Sequence, residues 1–277
     1  MSIYKNIALL IILSLSLNLI AQQDTLNPKR LKIVLGTEAV LYTGAMVGLY
    51  SLWYKDVPSS SFHFFNDNNE WLQMDKMGHA MTSYYIGMGG YHSLKWAGVS
   101  DKRSVLYGGT LGWVFLTSVE VFDGFSKDWG FSWGDIAANT VGTGMFIAQQ
   151  LAWKEQRVLM KFSYHQSEYW QLNSDLLGEN LSQNILKDYN GQTYWLSANV
   201  ASFLGENTKF PKWLNFAVGY GADGMVGAFD NFTNPEIKRY RQYYMALDID
   251  LTRIKTKSKL ANTVLGAFGF IKFPLPT

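Results

Sequence analysis

"MDKMGHAMTSYY", residues 74–85, is the stretch on which the reading of this chain turns. Asp75 and Lys76 run straight into an otherwise apolar helical pattern, and His79 follows Asp75 by one helical turn. Residues four apart share a helix face, so the acid and the imidazole point the same way. An apolar helix that opens on an acid, a base and an imidazole raises the question of where those groups are satisfied.

Working outward, four apolar segments emerge: Leu31–Trp53, Met77–Trp96, Val105–Phe122 and Trp133–Trp153. At 1.5 Å per residue they are roughly 27–35 Å long as helices, the length that spans a bilayer. They are also rich in Gly, Ser, Thr, Tyr and Trp. "YYIGMGGYHS" and "NTVGTGMF" place small residues at close spacing, which lets helices approach in lipid or in a tight bundle. "AGVSDKRS" and "DGFSKDWGFS" are short connections, so the second, third and fourth segments should be antiparallel neighbours. "YKDVPSSSFHFFNDNNEWLQM" is a long aromatic loop, of a length more often functional than idle.

Beyond Lys154 the pattern changes. "RVLMKFSYH" and "YYMALDIDLTRI" alternate with period two, and "WLNFAVGYG" does so less cleanly, which predicts half-buried strands. "TYWLSANVASFLG" and "KSKLANTVLGAFGF" read as short helices, and residues 166–193 as polar loop. The expected fold is mainly α with an added β element (α+β): an up-down four-helix apolar bundle over 29–154, then a C-terminal antiparallel β region within 155–277.

Composition narrows the class. Of 277 residues 48% are hydrophobic, 16% aromatic and only 17% charged, which fits a membrane-associated protein. A net charge of +2 gives no reason to expect nucleic acid as a partner. The absence of cysteine excludes disulfides, thiolate metal sites, cysteine nucleophiles and a lipidated cysteine. "MSIYKNIALLIILSLSLNLIAQQ" reads as a signal peptide over residues 1–21, with Lys5 in the basic region and a cut after Ala21, or else as an uncleaved anchor. The expected location is the cell envelope, at the periplasm or a membrane surface. The expected partner is a membrane lipid or envelope component; no protein partner or cofactor can be named.

In an up-down-up bundle the second helix begins where the third ends and the fourth begins. Asp75, Lys76, His79, Glu120, Asp135 and Asn139 should therefore gather at one end of the bundle, with Asp123 just beyond Glu120. Each also has a plainer role. Ser132-Trp-Gly-Asp135 is a variant capping box, Asp75 could cap the second helix, and a histidine in an apolar helix is commonly a satisfied core group.

These residues carry a resemblance. "MDKMGHAMTSYYIG", Glu120 and "FSWGDIAANTVGTGMF" resemble the YfiM-like family of predicted periplasmic lipoproteins. They are similar, more distantly, to VanZ-like membrane proteins, with an Asp-Lys-x-x-His opening, a mid-chain Glu and an Asp-x-x-x-Asn near a glycine-rich helix. The likeness covers roughly residues 70–153 and implies no reaction. The missing cysteine departs from the lipoprotein pattern.

The bundle end away from the motif collects Lys29, Arg30, Lys32, Lys95, Lys102, Arg103, Lys154 and Arg157. The positive-inside rule would place that end in the cytoplasm, whereas an export signal delivers it outside. Export of the whole chain resolves the conflict, with the basic end facing anionic lipid heads. Two functional readings follow. In one, the motif is a buried network that fixes helix register in a structural or accessory envelope protein. In the other, it is the site of an envelope hydrolase or transferase acting on a phosphorylated lipid or cell-wall precursor. Lys76 would then hold a phosphate, His79 or Glu120 would move a proton, and Asp135 and Asn139 would orient the histidine or a water. A single histidine gives thin support for a metal. An open concavity would favour the enzyme, a closed hydrogen-bonded cluster the network.

Overall fold

The computed structural model describes residues 26–205 and 207–274; the signal-peptide reading falls on residues outside these. The fold is α+β, as the periodicities imply. The described residues divide into two compact units, one comprising 26–65 together with Thr82–Ala152, the other Asn66–Met81 together with 153–205 and 207–274.

The first unit is helical. α1 (Pro28–Leu49) starts at Asn27, whose side chain accepts from Arg30 N at 3.1 Å, with Pro28 in the first turn where its missing N–H costs nothing. α2 (Met74–Trp96) begins in the second unit and continues through the first. A π-turn (Ser104–Gly108) leads into α3 (Leu111–Asp123), and α4 is Trp133–Trp153. Pro28–Tyr54 and Asp101–Asp123 are long and apolar enough to cross a membrane.

α2 and α3 meet backbone to backbone. A Cβ on Gly112 would lie 2.2 Å from the Ser83 carbonyl oxygen, and one on Gly87 would lie 2.4 Å from that of Gly109. The small residues seen in the sequence are there because no side chain fits between the helices. The long loop before α2 packs its rings rather than hanging free: Phe62 lies 5.2 Å from Phe125, and Phe64 stacks on Trp133 at 6.0 Å.

The second unit holds β1 (Val158–Tyr164), the short helices α5 (Ser174–Leu177) and α6 (Leu181–Lys187), β2 (Gln192–Asn199), β3 (Leu214–Asp223), β4 (Tyr240–Ile249) and α7 (Lys259–Ala267). The strands form an antiparallel meander in the order β1-β2-β3-β4. Three local expectations are corrected. "TYWLSANV" is mostly strand β2, because its alternating Tyr194, Leu196 and Ala198 pair across the sheet; only Val200–Phe203 turns helical, capped by Asn199. The polar stretch 166–193 contains α5 and α6, each opened by an Asn side chain that accepts a backbone N–H. And Asp75 is not a cap: it lies inside the first turn of α2, which begins at Met74 rather than near Met77.

The sheet is inverted with respect to water. Lys161, Ser197, Asn215 and Asp248 are buried on one face, while Met245 is 77% and Leu247 61% exposed on the other. Period two identifies the faces but not which of them is inside.

Candidate functional site

Within the second unit, α2 is launched by an unusual turn. Trp71, Leu72 and Gln73 have φ of 46°, 50° and 66°, the left-handed region that bulky side chains seldom enter. The turn is held from outside: Trp71 N donates to Ala228 O at 2.7 Å, Tyr220 Oη donates to Leu72 O, and Arg241 donates to the Gln73 side chain at 2.7 Å. Met74, fully buried, then packs with Tyr194, Ala222 and Met225. The motif's opening is thereby fixed in place.

Lys76 Nζ lies 2.7 Å from Asp67 Oδ2 and 2.9 Å from Asp75 Oδ2. This ammonium bridges two largely buried carboxylates, and Asp67 is a member that sequence reasoning missed inside the polar run "FNDNNE". The Asp67 and Asp75 carboxylates approach within 4.8 Å of each other, but Lys76 already supplies their counter-charge. Burial pushes the Asp75 carboxyl up, and Lys76 pulls against that shift. Asp75 Oδ1 is buried without a hydrogen bond. Glu70, also missed, is pushed up to about 7, first by burial and then by Asp67 and Asp75. His79 sits one turn further along α2 and is half-buried.

Within the first unit, Glu120 is 1% exposed near the end of α3, and its Oε2 accepts the Ser132 N–H at 3.1 Å. Ser132 Oγ in turn accepts from Asp135 N at 3.1 Å, so Ser132 caps α4, while the Ser132 N–H that a capping box would give to Asp135 goes to Glu120 instead. Asp135 is 5% and Asn139 0% exposed, and Ser83 Oγ of α2 donates to the Asn139 carbonyl at 3.0 Å. Glu120 and Asp135 bring carboxylate oxygens within 4.8 Å of each other. Asp123 belongs elsewhere, accepting from Tyr54 Oη at 2.5 Å.

The structure therefore joins Asp75 to Lys76 in one unit, and Glu120 to Asp135 with Asn139 nearby in the other. Two buried carboxylates so close either share a proton or take a compensating positive charge.

No curated protein and no solved structure matches the chain. Residues 63–150, which contain all six motif residues, match the model of a family described as predicted periplasmic lipoprotein (DUF2279), a placement that agrees with export to the cell envelope.

Proposed function

We propose that this is an exported, membrane-associated envelope protein of structural or accessory role, and that its motif is a buried polar network rather than a reaction centre. The observation that carries this is burial. Glu120, Asp135 and Asn139 are at most 5% exposed, and Glu120 and Ser132 are spent on the start of α4. A reaction centre needs groups that a substrate can reach.

In this reading Lys76 neutralises Asp67 and Asp75 in one unit, while Glu120, Ser132, Asp135 and Asn139 order the start of α4 in the other. Ser83 ties α2 to Asn139. The likeness to YfiM-like and VanZ-like proteins supports placement in the envelope and brings no reaction with it.

The test is Asp135→Asn, followed by thermal unfolding and by complementation of a deletion strain's envelope phenotype. Asn keeps an oxygen at that position, so a network loses little, and a stable, fully complementing protein is expected. A stable protein that fails to complement would reinstate the hydrolase or transferase reading.

A further inference from the structure

The sheet raises a separate question. Its buried face carries charge at its centre: Lys161 Nζ lies 2.7 Å from Asp248 Oδ2, both side chains being 0% exposed. Asp248 also accepts from Ser197 Oγ at 2.6 Å, and Asn215 donates to Ser197 Oγ at 2.8 Å. Lys161 and Lys272 donate across the interior to Ile249 O and Leu247 O, each at 2.8 Å, so the sheet is curled around a polar filling.

The outer face is the reverse. Cross-strand register aligns Leu196, Val218 and Met245 in one row and Ala198, Phe216 and Leu247 in the next, with no charged residue in either. One end of this face is covered by the start of α2, where Met74 and Trp71 meet Tyr194 and Tyr220. The rest is open: Leu196 is 39%, Phe216 42% and Val218 42% exposed. A protein surrounded by water places its apolar rows inside. Polar inside and apolar outside is the pattern of a sheet whose solvent is lipid.

The residues bordering the open face agree in charge. All four strands have one end in common, where β1 and β3 begin and β2 and β4 finish. Exposed Lys209, Lys212, Lys255, Lys257 and Lys259 lie in the segments at that end. Exposed Trp213 lies there too, and Trp153 packs under Arg157 at 4.9 Å. α7 continues the border with Leu260 at 74% and Val264 at 45% exposure on one face of a short helix that opens on Lys259. Lysines, tryptophans and an amphipathic helix beside an apolar surface are the features of a protein edge at lipid headgroups.

We propose that the open outer face of β2–β4 lies against the acyl chains of an anionic bilayer, with the lysine-bordered end at the headgroups. The chain lacks cysteine, so single labels report cleanly. The full chain carrying Met245→Cys, or Glu236→Cys in an exposed loop at the other end of the sheet, is labelled with a polarity-sensitive dye. It is then mixed with vesicles of phosphatidylethanolamine and phosphatidylglycerol, or of phosphatidylcholine alone.

The dye at 245 is expected to shift to the blue and to be quenched by doxyl groups on acyl chains, while the dye at 236 stays aqueous. Phosphatidylcholine should bind about tenfold less well or worse. Met245→Glu, at a side chain exposed in the protein, should weaken binding without lowering the unfolding temperature. Vesicle-bound protein with an aqueous dye at 245 overturns the proposal, since other apolar segments would then be doing the binding. So does failure to bind anionic vesicles, and so does a blue shift that needs no lipid and grows with protein concentration, which would assign the face to a second copy.

Discussion

The helical unit and the sheet unit both bury charged side chains, Glu120 and Asp135 in one and Lys161 and Asp248 in the other, but at opposite kinds of place. In the bundle they sit at helix ends, where backbone N–H groups lack partners and a carboxylate can take one, as Glu120 takes that of Ser132. In the sheet they sit within strands, where the ladder already satisfies the backbone, so Lys161, Asp248, Ser197 and Asn215 must satisfy one another. The lesson concerns cost. A polar group at a helix end replaces something the fold needs anyway, whereas one inside a strand must recruit partners from elsewhere, as Lys161 recruits Asp248 and the Ile249 carbonyl.

Asp248→Ala should separate the two cases most sharply. It leaves Lys161 buried and uncompensated, and unfolding in urea should show a loss of about 3–5 kcal/mol. Replacing both partners together, Lys161→Met with Asp248→Leu, should recover most of that loss. A single variant no worse than the double would show that the pair is not the sheet's organising interaction.

Glu120→Ala is the matched change in the bundle. It strands one backbone N–H and should cost about 1–3 kcal/mol by the same measurement. A loss as large as that of Asp248→Ala would erase the distinction between the units.

The smallest effect concerns Glu70. Its folded pKa of about 7 lies above the ordinary 4.5, so folding favours the protonated form. The associated stability is complete below about pH 4.5 and is lost as pH rises through 7. Because the side chain is partly solvated, Glu70→Gln should stabilise by only about 1 kcal/mol at pH 8 and change little at pH 4.5. Equal effects at both pH values would mean that Glu70 titrates normally.

Much of this was legible in the sequence, for identifiable reasons. The bundle follows from four long apolar runs, the last three joined by short connections, and the cap at Ser132 follows from residue spacing alone. β4 was legible from the strict alternation of Met245, Leu247 and Ile249. Its inside was not, because alternation is symmetric and the usual rule, apolar inward, fails where the filling is Lys161 and Asp248. The start of α2 was missed because Trp71, Leu72 and Gln73 carry no glycine to announce a left-handed turn; that turn is imposed by Ala228, Tyr220 and Arg241, far along the chain. Asp67 was missed because a local reading cannot tell a loop aspartate that reaches Lys76 from one that faces water.

The account rests on Glu120 and Asp135 acting as one buried network, and a double-mutant cycle between Glu120→Gln and Asp135→Asn tests that most directly. Unfolding free energies of the wild type, both single variants and the double variant would be measured in urea at pH 6. If the two carboxyl groups share one buried network, the two changes should couple by about 0.5–3 kcal/mol, the range for residues in one network. Additivity within about 0.5 kcal/mol is the behaviour of independent sites and would contradict the account.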